Sequence, residues 1–76
     1  MVRAVIMVET GTAKSTEIID AILDLPAVVE AHVVAGEFDI IAEVEVDEVY
    51  EVLQTASQAI QAVDGVTDTR TYVSLD

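Results

Sequence analysis

A short glycine-containing turn between two strand-like segments constrains the fold of this chain more than any other feature. The turn covers residues 35–39 (Ala-Gly-Glu-Phe-Asp), and residues 28–35 and 40–46 on either side are rich in β-branched residues. Glycine at the first central position of a two-residue loop is typical of a type II′ hairpin turn, and Gly36 takes that position. In this register the apolar residues of both strands share one face. The predicted pairs are Ala35 with Phe38, Val33 with Ile40, Ala31 with Ala42 and Val29 with Val44.

The segments outside the hairpin alternate between strand and helix patterns. Strands are predicted at residues 2–9 and 66–75, a turn at 10–13, and helices at 15–25 and 48–63. Ser15 and Asp47 are the predicted N-caps, Pro26 ends the first helix, and Gly65 follows the second. The apolar stripes are expected to face the core. They comprise Ile18, Ile19, Ile22 and Leu25 in the first helix, and Val49, Val52, Leu53, Ala56, Ile60 and Val63 in the second.

A weak internal repeat supports this order of elements. When the chain is shifted by 38 positions, Ile6, Val8, Ile22 and Val28 fall on Val44, Val46, Ile60 and Val66. Each half is therefore a βαβ unit, and together they predict an α+β, ferredoxin-like βαββαβ fold. Right-handed crossovers place both helices on one face of a four-stranded antiparallel sheet, with strand order 4-1-3-2.

The two faces of this sheet are predicted to differ. The helix-covered face holds Val2, Ala4, Ile6, Val8, Phe38, Ile40, Ala42, Val44 and Val46. The open face holds Arg3, Val5, Met7, Glu9, His32, Val34, Ile41, Glu43 and Glu45, whereas the last strand shows no clear apolar side. Four apolar residues on an uncovered face of so small a domain predict an interface, and a two-fold dimer is the simplest geometry. Arg3 and Arg70 are expected to pair there with carboxylates such as Glu43 or Glu30.

Composition narrows the possible functions. Fifteen acidic residues against three basic ones give a net charge of −12, which disfavours direct nucleic-acid binding and suggests a salt-adapted, halophilic protein. The absence of cysteine excludes disulfides and thiolate metal sites. No apolar run approaches the roughly 18 residues of a membrane span. The N-terminus lacks a signal-peptide layout, so we expect a cytoplasmic protein without membrane contact.

Residues typical of catalysis are scarce. His32 is the single histidine and is expected at a surface or interface, and Glu43 and Glu45 are expected to form a solvated face rather than a cation site. No nucleophile arrangement and no phosphate-binding loop are present. Thr67, Thr69 and Thr71 are ordinary strand residues that could also bind a small polar ligand. The sequence therefore predicts no catalytic residue, no metal site and no cofactor.

Two motifs resemble those of a known family. Gly36-Glu37-Phe38-Asp39 matches the Gly-x-(Tyr/Phe)-Asp hairpin motif, and Gly65-Val66 leads into a threonine-bearing strand. Both are similar to the effector-binding (RAM-type) domain of the leucine-responsive regulatory protein and asparagine-operon regulator (Lrp/AsnC) family of transcription regulators. The resemblance covers residues 1–76 as a single domain, without the helix-turn-helix domain that family members usually carry.

The resemblance implies amino-acid sensing and oligomerisation. In that family, sheets pack face to face into dimers of the α/β-barrel type, and dimers assemble into octamer-like or decamer-like rings with effectors between them. By this resemblance Gly36, Glu37, Phe38 and Asp39 form a ligand loop that Thr69 and Thr71 line. Gly36 would let backbone N–H groups approach a carboxylate, and Asp39 would bind an ammonium group. A plain turn glycine and a core phenylalanine are the alternative interpretation.

The expected partners are an amino acid, further copies of the chain, and full-length Lrp/AsnC regulators. Two other classes share the same order of elements. One is an ACT-type regulatory module, which is normally fused to an enzyme. The other is a small dimeric α/β-barrel enzyme of the muconolactone-isomerase or monooxygenase kind, which needs a roomy polar pocket between sheet and helices.

Overall fold

The computed structural model describes residues 1–11 and 15–75, and its elements follow the predicted order βαββαβ. Residues 12 and 13 of the predicted turn at 10–13 lie outside the described residues, Gly11 is a bend, and Thr10 belongs to the first strand. The elements are β1 (Val2–Thr10), α1 (Ser15–Leu23), β2 (Val28–Val33), β3 (Ile40–Val46), α2 (residues 49–61) and β4 (Val66–Val73).

All three pairings in the sheet are antiparallel, in the order β2-β3-β1-β4, which confirms the predicted topology. Both helices pack on one face, because their buried residues form one cluster with alternate residues of β1 and β3. This cluster is the ferredoxin-like core. Its members are Ala4, Ile6, Val8, Ile18, Ile22, Ile40, Ala42, Val44, Val52, Ala56 and Ile60.

The hairpin between β2 and β3 has the predicted register only near its closed end. Val33 pairs with Ile40 and Ala31 with Ala42, but a bulge follows, so that Val28, not Val29, lies opposite Val44. The prediction of a two-residue type II′ turn is wrong, because residues 34–39 all lie outside the strands. The predicted pairing of Ala35 with Phe38 is therefore absent. Gly36 lacks the positive φ that such a turn requires. The loop is wide because Asp39, its last residue, hydrogen-bonds to Val8 of β1 as well as to Val34.

Both helices begin or end differently from the prediction. α1 ends at Leu23 rather than at residue 25, and the N–H of Leu25 donates to the carbonyl of Ile22 at 3.0 Å in a tighter turn before Pro26. α1 begins at Ser15, so the residue that would precede it lies outside the described part of the chain. α2 is capped at Glu48, not Asp47, because the backbone N–H of Glu48 donates to the Glu51 carboxylate at 3.0 Å.

The middle of α2 is not α-helical. An α-helical turn (Val49–Glu51) is followed by a π-helical stretch (Val52–Ser57) and a second α-helical turn (Gln58–Gln61). The wider π-helical turn keeps Val52, Ala56 and Ile60 on the sheet, whereas Val49 and Leu53 are 56% and 58% exposed. The prediction that these last two face the core is therefore wrong.

Gly65 follows α2 in the left-handed conformation, with φ of 99°. A Cβ at this position would lie 2.7 Å from Cδ1 of Ile18, so glycine is required both by the backbone and by the packing of α1. The carbonyl of Gly65 accepts a hydrogen bond of 3.1 Å from the N–H of Gly11. The predicted position of Gly65 at the C-terminal cap of the second helix is wrong, because the helix ends at Gln61 rather than at residue 63 and its C-cap is Ala62. Gly65 instead lies in the turn that leads into β4.

The two faces of the sheet largely match the prediction. Ala4, Ile6 and Val8 are at most 2% exposed, and Val2 and Val46 pack at the margin of the same core. Phe38 is the exception, because it lies in the loop outside this core. On the other face, the register of β4 places Asp68, Arg70 and Tyr72 opposite Glu9, Met7 and Val5. The same register directs Thr69, Thr71 and Val73 to the covered face.

Candidate functional site

The predicted ligand loop is fastened to β1 through Asp39. The backbone N–H of Asp39 donates to the carbonyl of Val8 at 2.9 Å, and its carbonyl accepts from the N–H of Val34 at 2.8 Å. Its carboxylate Oδ2 accepts from the N–H of Thr10 at 2.8 Å and from the Thr10 hydroxyl at 3.1 Å. Asp39 therefore holds the loop against the sheet, and an ammonium group would have to use its other oxygen, Oδ1.

The tip of the loop is open to solvent. Gly36 and Glu37 are exposed, and no atom lies within 4 Å of the position that a Cβ on Gly36 would occupy. The backbone here is therefore accessible to an incoming group, although the turn itself does not require glycine. The contribution of Gly36 to a binding site would therefore be an accessible backbone, not an unusual backbone conformation.

Phe38 links the loop to the open face of the sheet. Its ring is half-buried, and the Arg70 guanidinium carbon lies over it, 5.9 Å from the ring centroid. This distance is within the range of a cation–π contact. Arg70 stands opposite Met7 on the open face. The prediction that Phe38 belongs to the helix-covered face is therefore wrong, because its ring packs toward Arg70.

The predicted threonines contact the second helix. Thr69 Oγ1 accepts a hydrogen bond of 2.9 Å from Gln61 Nε2, and Thr71 Oγ1 donates to Ser57 Oγ at 3.4 Å. Gln61 Nε2 also donates to Ser57 Oγ at 3.4 Å. Ser57 is 6% exposed and lies in the π-helical stretch. Sequence reasoning missed Ser57 and Gln61, although their four-residue spacing on a helix was a signal that both could face one neighbour.

The loop and the threonines flank the same end of β1 but do not meet. Val8 accepts a hydrogen bond from Asp39 on one side and pairs with Thr69 on the other. Two strand spacings therefore separate the two groups, which is about 10 Å. Within a single chain they do not form one cleft.

A cavity of about 270 Å³ lies beside the threonines and is lined by Gln61, Val66, Thr67, Asp68 and Thr69. Its lining includes no residue of the loop. Asp68 Oδ1 accepts from the N–H of Thr69 at 2.9 Å, and the Thr67 hydroxyl donates to the Glu9 carboxylate at 3.1 Å. A larger cavity of about 400 Å³ lies at the opposite end of the sheet, between the chain termini and Val49, and holds none of the predicted site residues.

The open face of the sheet has an apolar centre with charged margins. We call the set Val5, Met7, Ile41 and Tyr72 the apolar patch; Tyr72 is 57% exposed and the other three are partly exposed. At the margins, Arg3 Nε lies 3.5 Å from Glu45 Oε1, and His32 Nε2 lies 3.4 Å from Glu30 Oε1. Val34 lies beyond the end of β2, in the loop. Helices cover only the other face.

Residues 1–11 and 15–75 contain neither a candidate metal site nor a membrane-spanning helix. Their His, Asp and Glu side chains include no group of three that could hold a metal ion. In the same residues, neither helix has the length and apolar character needed to span a membrane.

Comparison with known proteins identifies the fold and the family. The model of the Lrp/AsnC ligand binding domain matches residues 3–76. TTHA0845 from Thermus thermophilus is 28% identical with a TM-score of 0.91, and the match covers 100% of this chain and 95% of that one. The hypothetical protein PHS023 from Pyrococcus horikoshii is 33% identical with a TM-score of 0.87, over 99% of this chain and 90% of that one.

Two longer chains contain the same fold as a part. AsnC from E. coli has a TM-score of 0.88 at 21% identity, covering 99% of this chain but 51% of that one, so the present chain spans about half of it. A Neisseria meningitidis transcriptional regulator, NMB0573, solved as a complex with L-Met, has a TM-score of 0.83 at 18% identity, covering 99% of this chain and 50% of that one. A search of the curated proteins found no match.

Proposed function

Because the chain belongs to the Lrp/AsnC ligand-binding domain family, we propose that it is an amino-acid-sensing and oligomerisation module that acts through protein partners, not through catalysis. One observation carries this proposal: the loop and the threonines lie on opposite sides of β1 and line no common cleft within one chain, and we propose that a second subunit completes the site. Sensing and assembly are then parts of one function. The space between sheet and helices is filled by aliphatic side chains, which disfavours the enzyme alternative.

Assembly is supported by the apolar patch on the open face. Met7 lies between Ile41 and Arg70, and Val5 lies between Glu43 and Tyr72, so the apolar residues are contiguous across three strands. A second copy stacked on this face would remove them from water, and a two-fold axis would bury the same patch on both copies. The family resemblance extends this dimer to a ring of dimers.

An amino acid is supported as the ligand by the open tip of the loop and by one structural neighbour. The accessible backbone at Gly36 and the exposed carboxylate of Glu37 offer groups for both ends of a zwitterion. NMB0573, which shares the fold, was solved with L-Met. Full-length regulators with this domain are the proposed protein partners, because they present a domain of the same shape with which this chain could co-assemble.

A thermal-shift screen of the twenty L-amino acids in high salt tests the sensing function. A ligand that binds only the folded protein raises its melting temperature. The best ligand is then titrated by calorimetry into the wild type and into Asp39→Asn, which removes the charge but keeps an oxygen for Thr10. If Asp39 binds the ammonium group, affinity falls about tenfold or more while the melting temperature stays close to that of the wild type. A screen in which no amino acid raises the melting temperature would contradict sensing.

Light scattering at micromolar concentration tests assembly. We expect at least a dimer, because the apolar patch is exposed in the monomer. A monodisperse species of 8.1 kDa would contradict the proposed interface.

A further inference from the structure

Arg70 stands apart from the other basic residues of this acidic chain. The sequence holds three of them, Arg3, Lys14 and Arg70, against fifteen acids. Arg3 is paired with Glu45, and Lys14 lies outside the described residues. Arg70 is exposed, and within the described part of the chain no carboxylate oxygen lies within 4.0 Å of its guanidinium group. Its described side-chain neighbour is an aromatic ring, not an acid.

The ring in question belongs to the loop at residues 36–39. The guanidinium lies over Phe38, next in sequence to Glu37 and Asp39. A guanidinium group that stacks on an aromatic ring uses its flat face, so its N–H groups at the edge stay available for a carboxylate. The fork of these N–H groups matches the two oxygens of a carboxylate.

We propose that Arg70 binds the carboxylate of a ligand held at the loop and thereby restricts the site to ligands with a free carboxylate. This inference rests on the proposed sensing function. A net charge of −12 repels carboxylates, and the loop itself adds Glu37 and Asp39. A carboxylate bound here is therefore stabilised by a neighbouring cation, and among the described residues Arg70 is the basic side chain that contacts the loop.

The competing role for Arg70 is an ion pair with a carboxylate of a second copy across the open face. Arg70 faces the side of the sheet that a dimer would bury, and the sequence alone predicts such a pair. The two roles differ in what they affect: a ligand anchor changes affinity for a carboxylate at constant assembly, whereas an interface pair changes assembly.

The test is a cycle of two ligands and three proteins, to which Arg70→Lys is added as a fourth protein. The L-amino acid with the largest thermal shift and its carboxamide, which lacks the negative charge, are titrated by calorimetry into the wild type, Arg70→Gln and Arg3→Gln. Arg3 is the matched control because it lies on the same face but is paired with Glu45. The cycle isolates the interaction between Arg70 and the carboxylate from other effects of the substitution.

We expect Arg70→Gln to lose affinity for the amino acid by about tenfold or more, while its affinity for the carboxamide stays unchanged. Arg70→Lys, which keeps the charge without the fork, should recover part of the loss, and Arg3→Gln should bind like the wild type. Light scattering should give the same assembly for all four proteins.

Three results would overturn the inference. Equal affinity of the wild type and Arg70→Gln for the amino acid would remove Arg70 from the site. Loss of assembly in Arg70→Gln, with equal losses for both ligands, would make Arg70 an interface residue. A wild type that binds no amino acid would contradict both the proposed function and this inference. That result is distinguishable from the other two, because it is obtained with the wild type before any variant is made.

Discussion

Both faces of β1 carry apolar residues, yet only one of the two faces is part of the core. Ala4, Ile6 and Val8 point to the helices and are at most 2% exposed, whereas Val5 and Met7 between them stay partly exposed. The same strand thus carries one face packed inside its own chain and one that lacks cover. This difference shows that the position of the helices, and not hydrophobicity alone, decides which apolar residues of β1 are buried. The open face is therefore suited to contact with a second protein.

Charge separates the faces as well. Arg3 and Arg70, two of the three basic residues, lie on the open face together with Glu43 and Glu45. The covered face, in the described residues, is built from aliphatic side chains and the threonines of β4. The open face therefore combines an apolar centre with charges of both signs, which is typical of the margins of an association surface.

The following predictions are ordered by the expected change in the free energy of unfolding, starting with the covered face. Ile6→Ala should lower it by about 2–5 kcal/mol, because a fully buried side chain is removed from a packed core. Val5→Ala is the control on the opposite face and should cost less than half as much in the monomer. Urea unfolding at low protein concentration measures both, and equal losses would abolish the distinction between the faces.

Gly65 and Gly36 extend the comparison to the packed and the open sides of the molecule. Gly65→Ala should cost about 1–3 kcal/mol, because its φ is positive and a Cβ would press on Ile18. Gly36→Ala should change stability by less than about 0.5 kcal/mol, because space is open there and φ is not positive. Thermal melts of the two variants measure the contrast. A larger loss at Gly36 would mean that the loop is more constrained than its geometry indicates.

Met7→Lys addresses the open face directly. The variant should fold with a monomer stability close to that of the wild type, but its dimer should dissociate, because a second copy would bury an unpaired charge. Light scattering measures assembly, and circular dichroism verifies the fold. A variant that stays dimeric would place the interface elsewhere.

Salt dependence is the smallest expected effect and applies to the whole surface. The net charge of −12 should destabilise the protein as salt falls well below about 0.1 M, where the screening length exceeds about 10 Å. The acids lie outside the covered core, so Ile6→Ala should show the same salt slope as the wild type. Circular dichroism melts from dilute to molar salt test this, and a constant melting temperature would contradict salt adaptation.

The sequence by itself determined the order of the elements and most of the core. Alternation in β1 and β3 and the four-residue spacing of Ile18 and Ile22 are local patterns, and each specifies which side of its own element is apolar. The sequence also placed a glycine close to where the backbone becomes left-handed, although Gly65 lies in the turn before β4 and not at the C-cap of α2, which is Ala62. The topology followed from these elements because right-handed crossovers leave few ways to join them.

The tertiary structure alone decided the width of the hairpin loop, the π-helical stretch and the face of β4. Residues 34–39 form a wide loop because Asp39 hydrogen-bonds to Val8 and Thr10 of β1. The local sequence around Gly36 does not predict this contact, because β1 is distant in the sequence. Phe38 leaves the core for the same reason and lies under Arg70. The threonines of β4 are assigned to the covered face by pairing with β1, since their own alternation is polar on both sides. Each of these features depends on contacts between distant parts of the chain, which local periodicity does not contain.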